Sequence, residues 1–250
     1  MRRYGLKEKQ WEKIKDLLPG RKQSVGVTAQ DNRLFVEAVL YRYRAGISWR
    51  DLPERFGDFR VIHTRHTRWS KTGIWEKIFI ALSEDSDNEY VMIDSTIVRH
   101  QHSAGAKKRG RCEAIGRSSG GLSTKIHATC DALGNPTGFH LTGGQAHDLD
   151  GADVLLENMC ADALLADKAY DAEDRVLKKL KGKACEAVIP PKSVRKIKRK
   201  YDKFLYYSRH LIENFFCKLK QFSAIATRYD KRANNFLGGI YLAATVILLN

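Results

Sequence analysis

The sequence predicts a mixed α/β domain that follows a small all-α domain. Apolar residues recur at helical spacing as far as residue 82, whereas from residue 90 onward short apolar runs of strand length alternate with helical segments. Between these patterns lies an acidic, polar segment, residues 83–88, which is typical of a domain boundary. We therefore expect a helical domain at residues 1–84 and an α/β domain at residues 89–250.

The composition indicates a globular protein with a polyanionic partner. The 250 residues are 43% hydrophobic, which is enough for a core, and they carry a formal net charge of +15. Such a charge favours nucleic acid, because basic side chains that bind it release counterions. The sequence has no basic amphipathic helix, no apolar run long enough to span a bilayer and no apolar signal peptide, so a membrane is disfavoured. The five cysteines form no Cys-x-x-Cys pair. This pattern favours the reducing cytoplasm and disfavours a disulfide framework or a structural zinc site.

The first domain is predicted to contain short helices joined by turns. Helical spacing is found at residues 6–18, 28–45, 48–53, 61–69 and 74–82. Basic residues cluster around the fourth of these segments: Arg60, Arg65, Arg68 and Lys71. Short helices with a basic segment are typical of a helix-turn-helix, so we expect Arg65 and Arg68 to contact DNA. A helical bundle with an ordinary basic surface is the alternative.

The second domain is predicted to combine strands and helices. The strands are expected at residues 90–98, 124–129, 137–141, 163–167 and 184–189, and the helices at residues 148–159, 172–180 and 206–220. Two strands around a tight turn, followed by alternating helices and strands, predict a mixed sheet. The long connection after the first strand carries a basic run that we expect to lie along a DNA backbone: Lys107, Lys108 and Arg109.

The last of these helices presents four polar side chains on one face. Tyr206, Arg209, Glu213 and Lys220 fall within an arc of about 60° at about 3.6 residues per turn. The neighbouring arc is apolar and would pack on a core: Leu211, Ile212, Phe215, Phe216 and Leu219. A solvated charged face is the usual explanation of such a pattern, but two upstream aspartates favour a functional one.

These aspartates lie in strand-like runs, where a carboxylate is costly. Asp94 is in the middle of the first strand, and Asp167 ends the fourth. A buried carboxylate is unfavourable unless it is paired or binds a cation. Together with Glu213, these residues provide the hard oxygen ligands that Mg²⁺ prefers, and two such ions would cleave a phosphodiester by activating water and stabilising the leaving oxygen. Two histidines, His100 and His102, are a weaker candidate for a metal site.

The polar helix face and three further stretches carry a family resemblance. The face resembles the Tyr-Arg-Glu-Lys signature of bacterial insertion-sequence DDE transposases. The further stretches are similar to the insertion-sequence-five branch of that family: Ile93-Asp94-Ser95-Thr96, Leu165-Ala166-Asp167-Lys168-Ala169-Tyr170 and Ile225-Ala226-Thr227-Arg228-Tyr229-Asp230-Lys231. The similarity runs through nearly the whole chain.

This resemblance implies a ribonuclease H-like fold and a metal-binding, catalytic triad of Asp94, Asp167 and Glu213 that takes Mg²⁺ or Mn²⁺. The implied activity is cleavage of double-stranded DNA at terminal inverted repeats and transfer of the 3′-hydroxyl to target DNA, by a homodimer in the bacterial cytoplasm. The remaining signature residues would hold DNA beside the cleavage site: Tyr206, Arg209 and Lys220.

Two other classes of protein remain open. A DNA-binding regulator derived from a transposase would keep the basic surface but tolerate the loss of an acid. A nuclease of the same fold would hydrolyse DNA without strand transfer. The presence of all three acids disfavours the regulator, and a DNA-binding domain at the start of the chain favours a transposase over the nuclease.

One residue departs from the family pattern. The family usually has glycine two residues after its second aspartate, where this chain has Ala169. A non-glycine residue at positive φ is strained by on the order of 1 kcal/mol. If position 169 needs a positive φ, we expect Ala169 to lower stability or to misplace Asp167.

Overall fold

The computed structural model describes residues 4–20, 29–101 and 113–250, which form two compact units. The first unit takes the described residues of Met1–Leu82, His100–Glu113 and Leu219–Asn250. The second unit takes those of Ser83–Arg99 and Ala114–Lys218. Two contiguous domains, as expected from the sequence, would put the last helix in the second domain. In the structure this helix belongs to the first unit, because the two ends of the chain are in contact.

Most of the helices lie in segments for which the sequence predicts helical spacing; the last two, beyond residue 220, do not. In chain order they are α1 (Glu8–Ile14), α2 (Asn32–Ala45), α3 (Phe59–Lys71), α4 (Ile74–Leu82), α5 (Asp148–Leu155), α6 (Lys178–Gly182), α7 (Lys203–Tyr206), α8 (His210–Lys220), α9 (Ser223–Ala226) and α10 (Ala233–Leu248). A 3-10 turn, Tyr207–Arg209, joins α7 to α8, and a π turn, Glu173–Leu177, precedes α6. Within the described residues, no helix is long and apolar enough to cross a membrane.

Capping residues explain where several helices begin and end. The Asp31 carboxylate accepts a hydrogen bond from the Leu34 N–H at 2.8 Å and starts α2, which ends at Gly46 with a φ of 67°. The Asp202 carboxylate accepts from the Phe204 N–H at 2.8 Å, so the helical segment predicted from residue 206 begins earlier, at α7. The predicted helix at residues 48–53 is only a 3-10 turn, Trp49–Asp51.

The strands of the second unit form a mixed sheet, as the sequence predicts. The strands of the chain are β1 (Tyr90–His100), β2 (Gly116–Ser118), β3 (Gly121–Cys130), β4 (Pro136–Gly143), β5 (Ala163–Leu165), β6 (Glu186–Val188) and β7 (Thr227–Arg228). In this sheet β1 is antiparallel to β3 and parallel to β5. β3 is also antiparallel to β2 and β4, and β5 is parallel to β6.

Apolar side chains cover both faces of this sheet. On one face Ile93 of β1 and Leu164 of β5 belong to a buried cluster with Leu149 and Ala152 of α5. On the other face Phe139 of β4 lies 5.8 Å, ring to ring, from Phe215 of α8. The buried side of α8 has the predicted composition, with Ile212, Phe215, Phe216 and Leu219 buried and Leu211 partly exposed. This packing turns the opposite side of α8 toward solvent.

The first unit is built around the last helix of the chain. α10 packs against α2, α3 and α4, and most of its apolar residues are buried. A buried ion pair lies beside this helix: Arg42 Nη1 donates to Asp230 Oδ2 at 2.8 Å, and the Tyr43 hydroxyl donates to the same oxygen at 2.9 Å. Removing one partner of such a pair leaves a buried charge without compensation. Residues 1–84 alone would therefore lack both Asp230 and the helix that covers their apolar faces.

His66 is fully buried in the same unit and is held as a neutral ring. Its Nδ1 accepts a hydrogen bond from the Trp75 indole N–H at 3.2 Å, and its Nε2 lies 3.3 Å from the Asn235 carbonyl oxygen. Because an indole nitrogen can only donate, Nδ1 is the unprotonated nitrogen and Nε2 carries the hydrogen. Burial lowers the pKa of His66 to about 4.

We predict that His66 makes the first unit sensitive to mild acid. Its unfolded pKa of about 6.5 lies above the folded value of about 4, so only the unfolded state takes up a proton between these values. The contribution of His66 should be fully present above about pH 6.5 and fall by about 3 kcal/mol as the pH drops to about 4. All four tryptophans lie in the first unit, so thermal unfolding followed by tryptophan fluorescence measures it.

The variant for this test is His66→Gln, which can still accept from Trp75 but does not titrate. Its melting temperature should depend less on pH across this range than that of the unchanged protein. His147→Gln, which removes an exposed histidine, is the control and should leave the pH dependence unchanged. An identical pH dependence in His66→Gln and the unchanged protein would contradict the assignment.

Candidate active site

Two carboxylates lie side by side at the ends of the central parallel strands. The last pair in the parallel register of β1 and β5 is Met92 with Leu165. Two residues farther along each chain are Asp94 and Asp167, and they share the face of Met92 and Leu165 because side chains alternate along extended backbone. The charge of Asp167 contributes to raising the pKa of Asp94, as expected for neighbouring carboxylates.

Asp94 is partly buried and has two hydrogen-bond donors. The Ser95 N–H donates to Asp94 Oδ1 at 2.7 Å, and Arg209 Nη1 donates to Asp94 Oδ2 at 2.7 Å. The side chain of Asp94 is 22% exposed. Burial raises its pKa above the ordinary value, and the two donors offset this only in part. A partly buried carboxylate of this kind gains from additional positive charge.

Arg209 joins Asp94 to the predicted third acid. Its other terminal nitrogen, Nη2, contacts the Glu213 carboxylate one helical turn away. Burial lowers the pKa of Arg209, but the charges of Asp94 and Glu213 outweigh this effect, so the pKa is raised and the guanidinium stays positive. Arg209 and Asp167 also affect the pKa of Tyr206, which burial raises. The site thus combines three predicted acids with two predicted signature residues.

Lys220 and the other predicted DNA contacts have different surroundings. Lys220 is exposed at the end of α8, and Arg68 is exposed on α3. The Arg65 guanidinium is instead stacked over two rings, 4.1 Å from the Phe35 centroid and 4.7 Å from that of Trp69. Arg65 is therefore packed against the unit that carries it, and Arg68 is more accessible to a partner. The predicted basic run lies outside the described residues: Lys107, Lys108 and Arg109.

The strain expected at Ala169 is absent, so that expectation is wrong. Ala169 lies in a 3-10 turn, Lys168–Tyr170, and is not among the described non-glycine residues with positive φ. Its N–H donates to Asp167 Oδ1 at 2.7 Å, which fixes the carboxylate at the start of the turn. Helical turns use negative φ, which alanine adopts without strain. The side chain at position 169 therefore does not misplace Asp167.

A second polar cluster adjoins the site and was not found from the sequence. The Ser95 hydroxyl donates to Asp148 Oδ1 at 2.6 Å, and Lys125 Nζ donates to the same oxygen at 2.9 Å. Burial raises the pKa of Asp148, but these two donors outweigh it, so the pKa lies below its ordinary value. The available signal was Lys125, a charged residue within an otherwise uncharged strand, which requires a partner. This cluster holds the residue after Asp94.

The carboxylate oxygens at the site are ligands of the kind that a divalent cation prefers. Asp94 and Asp167 offer hard carboxylate oxygens side by side, and Mg²⁺ is often held by one or two carboxylates together with substrate phosphate. Within the described residues, no three acidic, histidine or cysteine side chains lie close enough together to hold a metal ion by themselves. Glu213 is linked to Asp94 through Arg209, which pairs with both carboxylates. His100, the alternative candidate, has a pKa lowered to about 4 by burial, and His102 lies outside the described residues.

Comparison with protein families identifies both parts of the chain. Residues 85–249 match the family described as "Transposase DDE domain". The chain belongs to the DDE transposase family. Residues 6–79 match the family described as "Putative transposase of IS4/5 family". The resemblance inferred from the Tyr-Arg-Glu-Lys pattern is thereby confirmed.

Two curated relatives of this DDE transposase are similar over part of its length. The chain is 45% identical to "Uncharacterized protein y4sN" of Sinorhizobium fredii over 105 residues, which cover 42% of this chain and 84% of that protein. It is 38% identical to "Putative transposase for insertion sequence element IS6501" of Brucella ovis over 133 residues, which cover 51% of this chain and 99% of that protein. The second relative places the chain among insertion-sequence transposases.

A solved transposase structure has a similar fold. It is the cryo-EM structure of the piggyBac transposase synaptic complex with hairpin DNA, with a TM-score of 0.55 and 12% sequence identity. The match covers 98% of this chain and 73% of that chain. At this identity the likeness is one of fold, and the fold of this DDE transposase is ribonuclease H-like, as predicted.

We predict that replacing each of two alanines of the second unit by glycine changes the stability of the protein in opposite directions. Ala184 has a φ of 54° and follows α6, where the Cys185 N–H donates to the Leu180 carbonyl at 2.9 Å, a helix end that favours glycine. Ala184→Gly should therefore stabilise the protein by on the order of 1 kcal/mol. Ala169→Gly should destabilise it by roughly 0.5–1 kcal/mol, because glycine increases the entropy of the unfolded chain. Chemical denaturation followed by circular dichroism measures both; greater stability in Ala169→Gly would contradict the unstrained turn.

Proposed function

We propose that this chain is the transposase of an insertion sequence, which binds terminal inverted repeats, cleaves DNA at their ends and joins the freed 3′-hydroxyl to target DNA. The observation that carries the proposal is the juxtaposition of Asp94 and Asp167, with Arg209 linking Asp94 to Glu213. Two aspartates from separate parts of the chain have no evident structural need to lie side by side, with a third acid linked to one of them through Arg209 beside an exposed helix face. Membership of the DDE transposase family supports the same reaction.

The three acids would hold the divalent cations, Mg²⁺ or Mn²⁺. Two such cations, when bound, supply positive charge that favours both attack on the phosphodiester and departure of the leaving oxygen. Asp94 lies in β1 and Asp167 follows β5 by two residues, so the pairing of these two strands brings the carboxylates together. Glu213 comes from α8, and its side chain is 53% exposed, which leaves it accessible from solvent.

The signature residues would position the DNA backbone. The guanidinium of Arg209 remains positive and lies against Asp94, where it can orient that carboxylate and neutralise a nearby phosphate. Tyr206 is only partly buried, so its hydroxyl can donate to a phosphate or its ring can contact a base. Lys220, exposed at the end of α8, would add a further phosphate contact. The net charge of +15 supports binding of double-stranded DNA by the whole chain.

We also propose that the protein acts as a homodimer on DNA in the bacterial cytoplasm. Terminal inverted repeats come in pairs, and a two-fold symmetric protein would present the same surface to both. Recognition of the repeats is assigned to the first unit, whose α3 carries exposed basic residues such as Arg68. Because the C-terminal helix belongs to this unit, tests of recognition need the full chain.

We predict that the three acids are required for chemistry and not for DNA binding. Asp94→Asn, Asp167→Asn and Glu213→Gln should each abolish cleavage of a duplex that carries the element's end, because each removes a cation ligand. Binding of the same duplex should be unchanged or slightly tighter, since the phosphate contacts remain and negative charge is lost. The measurements are cleavage and strand transfer in Mg²⁺ and a separate mobility-shift titration.

Controls for these variants separate the proposed function from its alternatives. Glu157→Gln removes an exposed acid on the same unit and should leave cleavage unchanged. Cleavage without joining of the 3′-hydroxyl to target DNA would indicate a nuclease, and specific binding without cleavage would indicate a regulator. Near-normal cleavage by Glu213→Gln would remove that residue from the site.

We predict that Arg68 and Arg65 have separable roles. Arg68→Ala should weaken DNA binding and lower the slope of log affinity against log salt by roughly 0.9 if one phosphate contact is lost, with no change in stability. Arg65→Ala should destabilise the first unit by about 0.5–2 kcal/mol, because its guanidinium covers two aromatic rings. Salt titrations of DNA binding and tryptophan-monitored unfolding measure the two effects; an unchanged salt dependence in Arg68→Ala would move the contact elsewhere.

A further inference from the structure

One tyrosine hydroxyl of the second unit is buried without a hydrogen-bond partner. Tyr170 is 1% exposed, and its Oη makes no hydrogen bond to any described residue. Most buried polar groups in folded proteins are paired, because an unpaired one loses its hydrogen bonds to water and gains none in return. The hydroxyl of Tyr170 therefore needs a reason other than the stability of the free protein.

The ring of Tyr170 is packed among the segments that carry the acids. It belongs to the buried apolar cluster of the second unit, together with three residues that each adjoin an acid in the sequence. These residues are Ile93, which precedes Asp94; Ala166, which precedes Asp167; and Leu149, which follows Asp148. One buried side chain thus packs with the immediate chain neighbour of all three aspartates.

The backbone of Tyr170 is fixed on both sides. Tyr170 closes the 3-10 turn that Asp167 caps, and its N–H donates to the Asp167 carbonyl oxygen at 3.1 Å. The next residue, Asp171, has a fully buried carboxylate that accepts two hydrogen bonds from the Arg195 guanidinium, both at 3.0 Å. The turn therefore holds the ring of Tyr170 in a set position relative to Asp167.

The charges around the hydroxyl make it a hydrogen-bond donor that faces acceptors. Burial raises the pKa of Tyr170, and the negative charges of Asp148, Asp94 and Asp167 raise it further, so the hydroxyl keeps its hydrogen. An ionised carboxylate can only accept. Asp148 already accepts two hydrogen bonds and has a lowered pKa, whereas the pKa of Asp94 is raised. The pair of Asp94 and Asp167 therefore has more to gain from a further donor than Asp148 has.

We propose that Tyr170 is a positioning residue of the cation site, whose hydroxyl donates to the Asp94 and Asp167 carboxylate pair when that pair holds a divalent cation. The inference rests on the proposed function and adds a residue to its site. Carboxylates that bind a metal are oriented by hydrogen bonds from the groups behind them. The hydroxyl would supply such a bond from the buried side of the acids, and cation binding would give it the partner that it lacks in the free protein.

The test is Tyr170→Phe, which keeps the buried ring and removes only the hydroxyl. Mn²⁺ is titrated into the full chain without DNA, and the melting temperature without Mn²⁺ is measured by circular dichroism. The variant should bind Mn²⁺ about 10- to 100-fold more weakly, as expected for loss of a hydrogen bond that orients a ligand. Its melting temperature should be unchanged or higher, because no hydrogen bond of the free protein is lost.

A second tyrosine of the same unit provides the matched control. The Tyr90 hydroxyl donates to the Ala132 carbonyl oxygen at 3.1 Å, so Tyr90→Phe should lower the melting temperature and leave Mn²⁺ affinity unchanged. Unchanged Mn²⁺ affinity in Tyr170→Phe would overturn the proposal. A lower melting temperature in Tyr170→Phe would also overturn it, whatever the Mn²⁺ affinity, because the hydroxyl would then have a partner in the free protein.

The same titration separates this proposal from the proposed function. Mn²⁺ binding that is weakened by Asp94→Asn but not by Tyr170→Phe would contradict only the role of Tyr170. Binding that is weakened by both substitutions, in a protein that neither cleaves nor joins DNA, would retain that role and contradict only the transposase assignment. Mn²⁺ affinity that Asp94→Asn leaves unchanged would contradict the cation site itself, and with it both proposals.

Discussion

The parallel pairing of β1 with β5 is the interaction on which the candidate active site depends. It joins segments that are far apart in sequence and aligns Met92 with Leu165, so that Asp94 and Asp167 follow on one face. Side chains alternate along a strand, so a shift of one residue would turn one carboxylate to the opposite face. The register is held by complete burial of the apolar residues around it, including Ile93 and Leu164. The apolar core thus determines where the acids meet.

Charge balance around these acids is supplied by residues on both sides of the sheet. Arg209 reaches Asp94 and Glu213 from the helical segment that covers one face. The opposite face carries Lys125 and Asp148, which hold Ser95 directly beside Asp94. Both carboxylates have two donors, but burial outweighs the donors at Asp94, whose pKa is raised, whereas the donors outweigh burial at Asp148, whose pKa is lowered. Asp94 therefore remains the carboxylate with the most to gain from a bound cation.

The sequence predicts the helices and strands well and the long-range polar contacts poorly. Periodicity located β1, β3 and α4 closely, because each has a strong apolar pattern of its own. The pairing of Arg42 with Asp230 could not be predicted, since nothing local connects residues so far apart in the chain. Ala169 was misjudged because a family preference for glycine does not reveal φ at that position in this chain. Asp148 was missed because its importance comes from Lys125, which pairs with it only after the strands and α5 fold together.

The central claim, that Asp94 and Asp167 form one cation site, is tested most directly by a double-mutant cycle on Mn²⁺ affinity. Titration of the full chain without DNA would be repeated for Asp94→Asn, Asp167→Asn and the double variant. If both carboxylates bind the same ion, each single variant should weaken Mn²⁺ binding, and the two effects should be coupled by more than about 0.5 kcal/mol. Additive effects, or an affinity that neither substitution changes, would contradict the claim.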